Sequence, residues 1–367
     1  MDITHSVTIQ SSSPQGAIAI TAEKTSERPG IFAMVKVSVI IKTFNEEENI
    51  ERAIRSALGA VAPFGGEVVV ADSASTDRTI ERAMKFPVVI VQLGRPDERC
   101  CGIGPQLGYL HSKGEYIYVL DGDMELDAEF IAHAVEFLER EPSVAGVGGY
   151  VREMRVENLE FEARVKRQHR QLGERMPDVD ALTGGGLYRR AAIEEVGYLS
   201  DRNLHGYEEY DLGARLRAKG WHLVRFDIHA ADHYSYSMTT YGLLLHRIRA
   251  GYIFSSGELV RAAIENCYLG KVYLELNGIR IATAVWVYWI VIASILPWIP
   301  NGSRPIAVLT SLLLPALAMA LRTRSLRLGF HSVLLWHLNA VGLIVGLVRR
   351  RKLPGGGIES RVFVGAQ

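Results

Sequence analysis

Three segments of this chain set polar side chains directly after apolar runs. Lys42, Thr43, Phe44, Asn45 and Glu46 follow residues 37–41. Asp72 and a Ser/Thr-rich turn to Asp77 follow residues 67–71, and Asp121, Gly122 and Asp123 follow residues 116–120. Carboxylates are hard oxygen donors, and two aspartates one residue apart can both face a bound cation or a nucleotide. A diphosphate completing the shell makes such a pair a good Mg²⁺ or Mn²⁺ site. An Asp-x-Asp alone occurs by chance in many loops. Here it ends a buried strand, after two other strand ends that are also polar.

The apolar runs must position these groups. Val37, Val39, Ile40 and Ile41 form a β-branched run of the kind buried on both faces of a sheet. Residues 46–58 carry Ile50, Ala53, Ile54 and Leu58 at helical spacing. Residues 67–71, 88–91 and 116–120 read as strands, and residues 106–113 and 128–139 as helices. Gly114 closes the first of these helices, and Thr76-Asp77 starts another. Strands alternating with helices predict an α/β fold with a mostly parallel, doubly wound sheet. Ligands of such sheets bind beyond the carboxyl ends of the strands.

The 367 residues balance 41 Lys/Arg against 41 Asp/Glu. That excludes a globally basic nucleic-acid binder and a strongly acidic disordered chain. It also hides an asymmetry. From Cys267 onward there are eleven basic residues and two acids, so this part carries +9 and residues 1–266 carry −9. The same part holds three uncharged stretches: 23 residues over 281–303, 17 over 305–321 and 21 over 328–348. A membrane span needs about 20 apolar residues, so the first and third qualify and the second is marginal. Arg322, Arg324 and Arg327 lie between the last two stretches, and Arg349, Arg350, Arg351 and Lys352 follow the third. One complete span between these clusters would put one of them outside, against the positive-inside tendency. Either one stretch is re-entrant or interfacial, or the tendency is broken. Residues 241–264 mix apolar and basic side chains, as in an amphipathic helix on an anionic membrane or an ordinary helix packed on the soluble part. The cysteines, Cys100, Cys101 and Cys267, have neither disulfide nor zinc spacing and are expected reduced in the cytosol. Residues 1–34 read as a poorly ordered leader without a signal peptide.

The patterned region resembles the family 2 inverting glycosyltransferases of the GT-A fold. The resemblance covers residues 36–235 and rests on VSVIIKTFNEEENI, VVVADSASTDRT, GYLHSKGEYIYVLDGDMELDAEFI, LTGGGLYRRAAIEEVG and YEEYDLGARLRAKGW, in that order. It implies that Thr43, Phe44 and Glu46 hold the nucleoside, with Phe44 against the base unless it is a core aromatic. It implies that Asp72 accepts hydrogen bonds from base or ribose, or else caps a turn. Asp121 would face the ribose or the metal shell, and Asp123 would ligate Mg²⁺ or Mn²⁺. Gly185 and Gly186 would let the backbone approach the donor sugar. Glu209 stands where the family pattern has its base, an aspartate, with Glu208 and Asp211 as competitors. His233 is the candidate histidine on the metal or diphosphate, with a structural role as its alternative.

The chain departs from the family in three places. Lys42 replaces a residue that is commonly Pro. Gly104-Pro105-Gln106 replaces an Ala-Arg-Asn segment, leaving Arg99 as a substitute cation. The Gln-x-x-Arg-Trp motif of processive synthases is absent. The implied layout is a leader (1–34), a GT-A domain (35–239), amphipathic juxtamembrane helices (240–278), two to three transmembrane helices (279–350) and a basic, Gly-rich tail (351–367). The implied protein is an integral membrane enzyme with its catalytic domain in the cytoplasm. It moves one sugar from a nucleotide-diphospho-sugar, a UDP-sugar ahead of a GDP-sugar, to a lipid-linked or membrane-proximal acceptor in exopolysaccharide or cell-envelope glycan synthesis. A polyprenyl monophosphate acceptor and a non-catalytic nucleotide-sugar-binding scaffold are the alternatives. Membrane lipid is an expected partner and nucleic acid is not.

Overall fold

A computed structural model describes residues 35–154, 178–234 and 240–366; the leader lies outside them. Nine strands form one sheet: β1 (Val37–Thr43), β2 (Glu67–Asp72), β3 (Val89–Leu93), β4 (Tyr116–Asp121), β5 (Met124–Leu126), β6 (Val144–Glu153), β7 (Leu187–Arg189), β8 (His222–His233) and β9 (Ser360–Val364). Their order is β5-β8-β6-β7-β4-β1-β2-β3-β9. The centre, β4-β1-β2-β3, is parallel. The flanks are mixed, because β7, β5 and β9 run antiparallel to their neighbours while β6 and β8 are parallel. The alternation that predicts parallel pairing spans residues 37–140 and stops there, so it describes the centre and not the flanks.

Helices α1 (Ile50–Val61), α2 (Thr79–Ala83) and α3 (Ile103–His111) connect the central strands, α4 (Ala128–Arg140) joins β5 to β6, and α5 (Arg190–Glu195) and α6 (Glu208–Ala218) precede β8. On α1, Ile50, Ala53, Ile54, Ala57 and Val61 are buried at helical spacing, against the core that holds Val39 and Ile41. Helix α3 lies unusually close to β1. A Cβ on Gly108 would sit 2.2 Å from Ile40 Cγ2, and one on Gly104 would sit 3.1 Å from Lys42 Cβ. Gly108→Ala is therefore expected to cost about 1–3 kcal/mol through overpacking, read as a lower denaturant midpoint of the purified protein.

The register of the parallel strands decides what meets at the carboxyl edge. Lys42 pairs with Asp121 across β1 and β4, and Thr43 pairs with Asp72 across β1 and β2. The three polar segments thus end at one level.

Residues 241–264 are not one helix. Helix α7 (Thr240–Arg249) stops before Gly251, whose φ of 82° belongs to the left-handed region, and α8 (Ser255–Glu265) starts anew. Leu259 and Ala263 of α8 share a core with Leu204, Ala214, Tyr268 and Val272 of the sheet domain and of α9 (Leu269–Glu275). Helices α10 (Asn277–Ile295), α11 (Arg304–Thr323) and α12 (Leu326–Val348) follow. With their terminal turns, all three are long and apolar enough to cross a membrane. Gly257 of α8 packs on α12, where a Cβ would lie 2.8 Å from Gly346 Cα. Residues 351–367, set apart by composition as a tail, return to the sheet. Arg351 donates to Asp201, Lys352 pairs with Glu98, and β9 pairs with β3.

Candidate active site

A cleft of about 440 Å³ opens beside the carboxyl ends of β1 and β4. Lys42, Asp121, Gly185, Tyr188, Glu208 and Glu209 are among its walls. Helix α6 delivers the two glutamates from its first turn. Tyr207, immediately before them, has φ 68°. Asn45 and Ala74, at the two neighbouring strand ends, are also non-glycine residues with positive φ, at 55° and 62°. Such strain persists only where the surroundings enforce it, and it gathers at functional sites.

Four charges face one another in the cleft. Lys42 Nζ lies 2.9 Å from Asp121 Oδ1 and 3.4 Å from Glu208 Oε1. Burial alone would disfavour the ammonium, but Asp121, Glu208 and Glu209 hold its pKa well above the ordinary lysine value. Glu209 is half-buried. Burial, and then the charge of Glu208, push its pKa up to about 7, with Lys42 pulling the other way. A carboxylate tuned to neutrality suits proton abstraction at physiological pH. Asp211 is placed differently. It is fully buried, accepts from Arg215 Nε at 2.9 Å and from the Tyr268 hydroxyl, and so anchors α6.

Beside the cleft, Asp72 Oδ2 accepts from the Ser75 amide at 2.9 Å and from Gln92 Nε2 at 3.2 Å. Asp72 Oδ1 and Thr43 Oγ1 are buried with no hydrogen-bond partner among the described residues. Buried polar atoms left so are costly, and a ligand's hydroxyl or amine would satisfy them. Phe44 is exposed and carries the Arg99 guanidinium 3.8 Å from its ring centroid. Arg99 therefore stands beside Phe44 at the end of β1. Glu46 accepts from Asn49 Nδ2 at 2.9 Å. Gly122 packs against both segments, since a Cβ there would lie 2.8 Å from Thr43 Oγ1 and 3.1 Å from Glu46 Cγ. Gly185 has φ 108°, and a Cβ on it would meet the Val119 carbonyl at 2.8 Å. Gly186 is buried behind it, and its carbonyl accepts from the Val119 amide.

The antiparallel pairing of β5 with β8 sets His233 opposite Met124, and so next to Asp123. His233 Nε2 is 3.0 Å from Asp123 Oδ2, and Nδ1 is 2.6 Å from Glu153 Oε2. Burial would lower the His233 pKa, but hydrogen bonds to the two carboxylates more than offset it and raise it to about 10. Among the described residues no three His, Cys, Asp or Glu side chains converge as a protein-only metal cage requires. Asp123 supplies an oxygen donor, and His233 supplies a nitrogen donor only where a cation displaces the proton it shares with Asp123 and Glu153. That pair fits a cation taking its remaining ligands from a nucleotide diphosphate.

The structure thus brings Asp121, Gly185, Glu208 and Glu209 around one cleft, pairs Thr43 with Asp72, and pairs Asp123 with His233. Glu153 was missed in the sequence, although it ends the apolar run of β6 as the other polar residues end theirs. Gln106 was read only as a departure. It is buried, and its Oε1 accepts from the amides of Leu199 and Ser200, two residues of the cleft wall.

Comparison with known proteins places this geometry. Residues 38–197 match the family model described as glycosyl transferase family 2. A dolichol-phosphate mannosyltransferase of Pyrococcus furiosus is 33% identical over 131 residues, 35% of this chain and 37% of that protein. An undecaprenyl-phosphate 4-deoxy-4-formamido-L-arabinose transferase of Edwardsiella ictaluri is 27% identical over 180 residues, 46% of this chain and 53% of that protein. The chain thus spans between a third and about half of the length of these relatives. The solved mannosyltransferase of Pyrobaculum calidifontis, in complex with GDP-Man and Mn²⁺, superposes with a TM-score of 0.53 at 18% identity, covering 88% of this chain and 91% of that one. Residues 38–197 thus resemble glycosyl transferase family 2, and the likeness to the solved mannosyltransferase shows that the sheet domain has the GT-A fold.

Proposed function

We propose that this protein is a membrane-attached, inverting glycosyltransferase that moves one sugar from a nucleotide-diphospho-sugar to a hydroxyl of a lipid-linked or membrane-proximal acceptor. The observation that carries the reading is Glu209. It is a half-buried carboxylate with a pKa near 7 on the wall of a cleft shared with Asp121, Gly185 and Glu208. In the reaction, the acceptor oxygen forms a bond to the anomeric carbon as the bond to the diphosphate breaks on the opposite face. Glu209 takes the acceptor proton. Thr43 and Asp72 hold the nucleoside through their unpaired buried atoms, and Phe44 faces the base once Arg99 yields its ring. Asp123 and His233 would hold Mg²⁺ or Mn²⁺. When bound, that ion supplies Lewis-acid stabilisation of the departing diphosphate. The glycosyltransferase names of the relatives and the nucleotide-sugar complex of the structural neighbour support this donor class.

A second reading takes a polyprenyl monophosphate as acceptor, as the names of the relatives suggest. Three carboxylates around one lysine make a poor seat for a phosphate dianion, which favours the hydroxyl. Purified protein with Mn²⁺, membrane lipid extract and UDP-glucose, UDP-N-acetylglucosamine or GDP-mannose tests the proposal. Release of UDP or GDP coupled to a glycosylated lipid supports it. Binding of nucleotide without release or transfer would leave the scaffold reading standing.

The membrane reading follows from the flanks of the helices. Residues on both sides of the 277–348 segment pack on the sheet domain, through Tyr268 and Val272 before it and Arg351 and β9 after it. With that domain on one side of the bilayer, complete crossings must be even in number. Helices α10 and α12 pack through Ala282, Ala340 and Leu343, with Trp286 Nε1 donating to the Ala340 carbonyl and Trp289 Nε1 to His337. We assign the two crossings to them. Helix α11, which carries Pro315 inside it, stays in the far leaflet. A cysteine at Ser325 in a cysteine-free chain should react with an impermeant maleimide from the face opposite the sheet domain. Labelling only after permeabilisation would refute this topology.

A further inference from the structure

Lys42 is unusual in three respects. It is the penultimate residue of β1, in the parallel centre of the sheet, where the family commonly has Pro. Its side chain reaches across the cleft to two different elements. It is also the ammonium in a group of three carboxylates. Nζ lies 2.9 Å from Asp121 at the end of β4 and 3.4 Å from Glu208 at the start of α6. Gly104 of α3 leaves room for this, since a Cβ there would press on Lys42 Cβ at 3.1 Å.

We propose that Lys42 is a positioning residue for the reaction: its ammonium ties the end of β4 to the start of α6 and offsets the negative charge that Asp121 and Glu208 impose on Glu209. The inference rests on the reading of Glu209 as the base. Glu208 adjoins Glu209 in sequence, so without Lys42 two carboxylates would face Glu209 with no ammonium between them. A like charge beside a carboxyl favours its protonated form, and a neighbouring cation favours the anion.

The other groups that face Glu209 do not replace the lysine. Tyr188 of β7 and Cys101, before α3, are both held neutral by burial, the tyrosine hydroxyl and the thiol being pushed well up. Arg225 of β8 is committed to the carbonyls of Gly149, Ala181 and Thr183. Its guanidinium contributes a fixed background charge that any Lys42 variant retains.

The test measures Glu209 directly. Infrared difference spectra of the purified full-length chain isolate the carboxyl band that Glu209→Gln removes, and the band is followed with pH. Lys42→Met should move its titration midpoint upward by about one unit or more. Lys42→Arg, which keeps the charge, should leave it near the wild-type value. Nucleotide release from the donor found in the screen above should follow. At pH 7 the Lys42→Met rate should fall about tenfold or more, and it should recover towards wild type by pH 9. Should Lys42→Met fail to fold, Lys42→Gln can still bond both carboxylates without charge and makes the same measurement. An unchanged midpoint in the uncharged variants, or an equal shift in Lys42→Arg, overturns the inference. Full turnover by Glu209→Gln would instead sink the reading of Glu209 as base, and the infrared midpoint would still report on Lys42.

Discussion

Glu209→Gln is expected to lower kcat by about 10³-fold, with the donor KM and the unfolding midpoint near those of the wild type. The amide keeps the size and most of the packing of the carboxylate but cannot accept the acceptor's proton. The side chain is half-buried and has no ion pair within salt-bridge distance among the described residues, unlike Asp211. Loss of the charge therefore falls on the chemical step. The wild-type rate should also carry the signature of this residue. Because the Glu209 pKa is raised to about 7, the active anion is scarce at pH 6 and dominant at pH 8. Turnover should climb through neutrality and then level off, and Glu209→Gln should lose that limb. A steady-state pH profile checks both. Undiminished turnover in Glu209→Gln would mean that the acceptor is already an anion, and the polyprenyl monophosphate reading would replace the hydroxyl one.

Asp123→Ala is expected to reduce transfer by about 10²-fold or more. It should also abolish Mn²⁺ binding, read by electron paramagnetic resonance of the purified protein with nucleoside diphosphate. The argument is the donor count. Asp123 is the hard anionic donor of the pair it forms with His233, and the other carboxylate on that histidine, Glu153, sits on the opposite ring nitrogen, so no three-donor cage forms among the described residues. Removing the carboxylate leaves one imidazole, bonded to Glu153, and no hard anionic donor from the protein. Nucleoside binding through Thr43 and Asp72 should survive in part, because those atoms belong to β1 and β2. Retained Mn²⁺ binding in Asp123→Ala would move the cation site elsewhere. Full transfer activity in the same variant would remove metal chemistry at Asp123 from the mechanism.

Much of this site was legible in the chain itself, and the reason is period. A strand buried on both faces must be apolar throughout, so the first polar residue after it marks the carboxyl edge. That rule located Lys42, Asp72 and Asp121 at the strand ends, and the resemblance to family 2 glycosyltransferases added Thr43 and Asp123 beside them. The rule applies equally to Glu153, at the end of β6, but residues 144–153 contain glycines at 146, 148 and 149 that blur the strand pattern. The juxtamembrane stretch left two readings open, a helix on the membrane and a helix packed on the soluble part. Its apolar and basic residues fit one helical face, yet the left-handed turn at Gly251 breaks it, and its second half is buried on the sheet domain.

What the sequence by itself determined is the set of chemical groups, the strands that carry them, and the division between an acidic sheet domain and a basic, apolar region. These follow from local composition and spacing, which need no knowledge of what touches what. The tertiary structure decided which groups act together. Strand register set Lys42 against Asp121, and α6 brought Glu208 and Glu209 from nearly ninety residues further on. It set Asp211 apart from Glu209 by locking it to Arg215 and Tyr268, and it returned the C-terminal strand to β3. A carboxylate's proton affinity depends on its burial and on the charges within a few ångströms, and those distances are set by contacts between residues far apart in the chain.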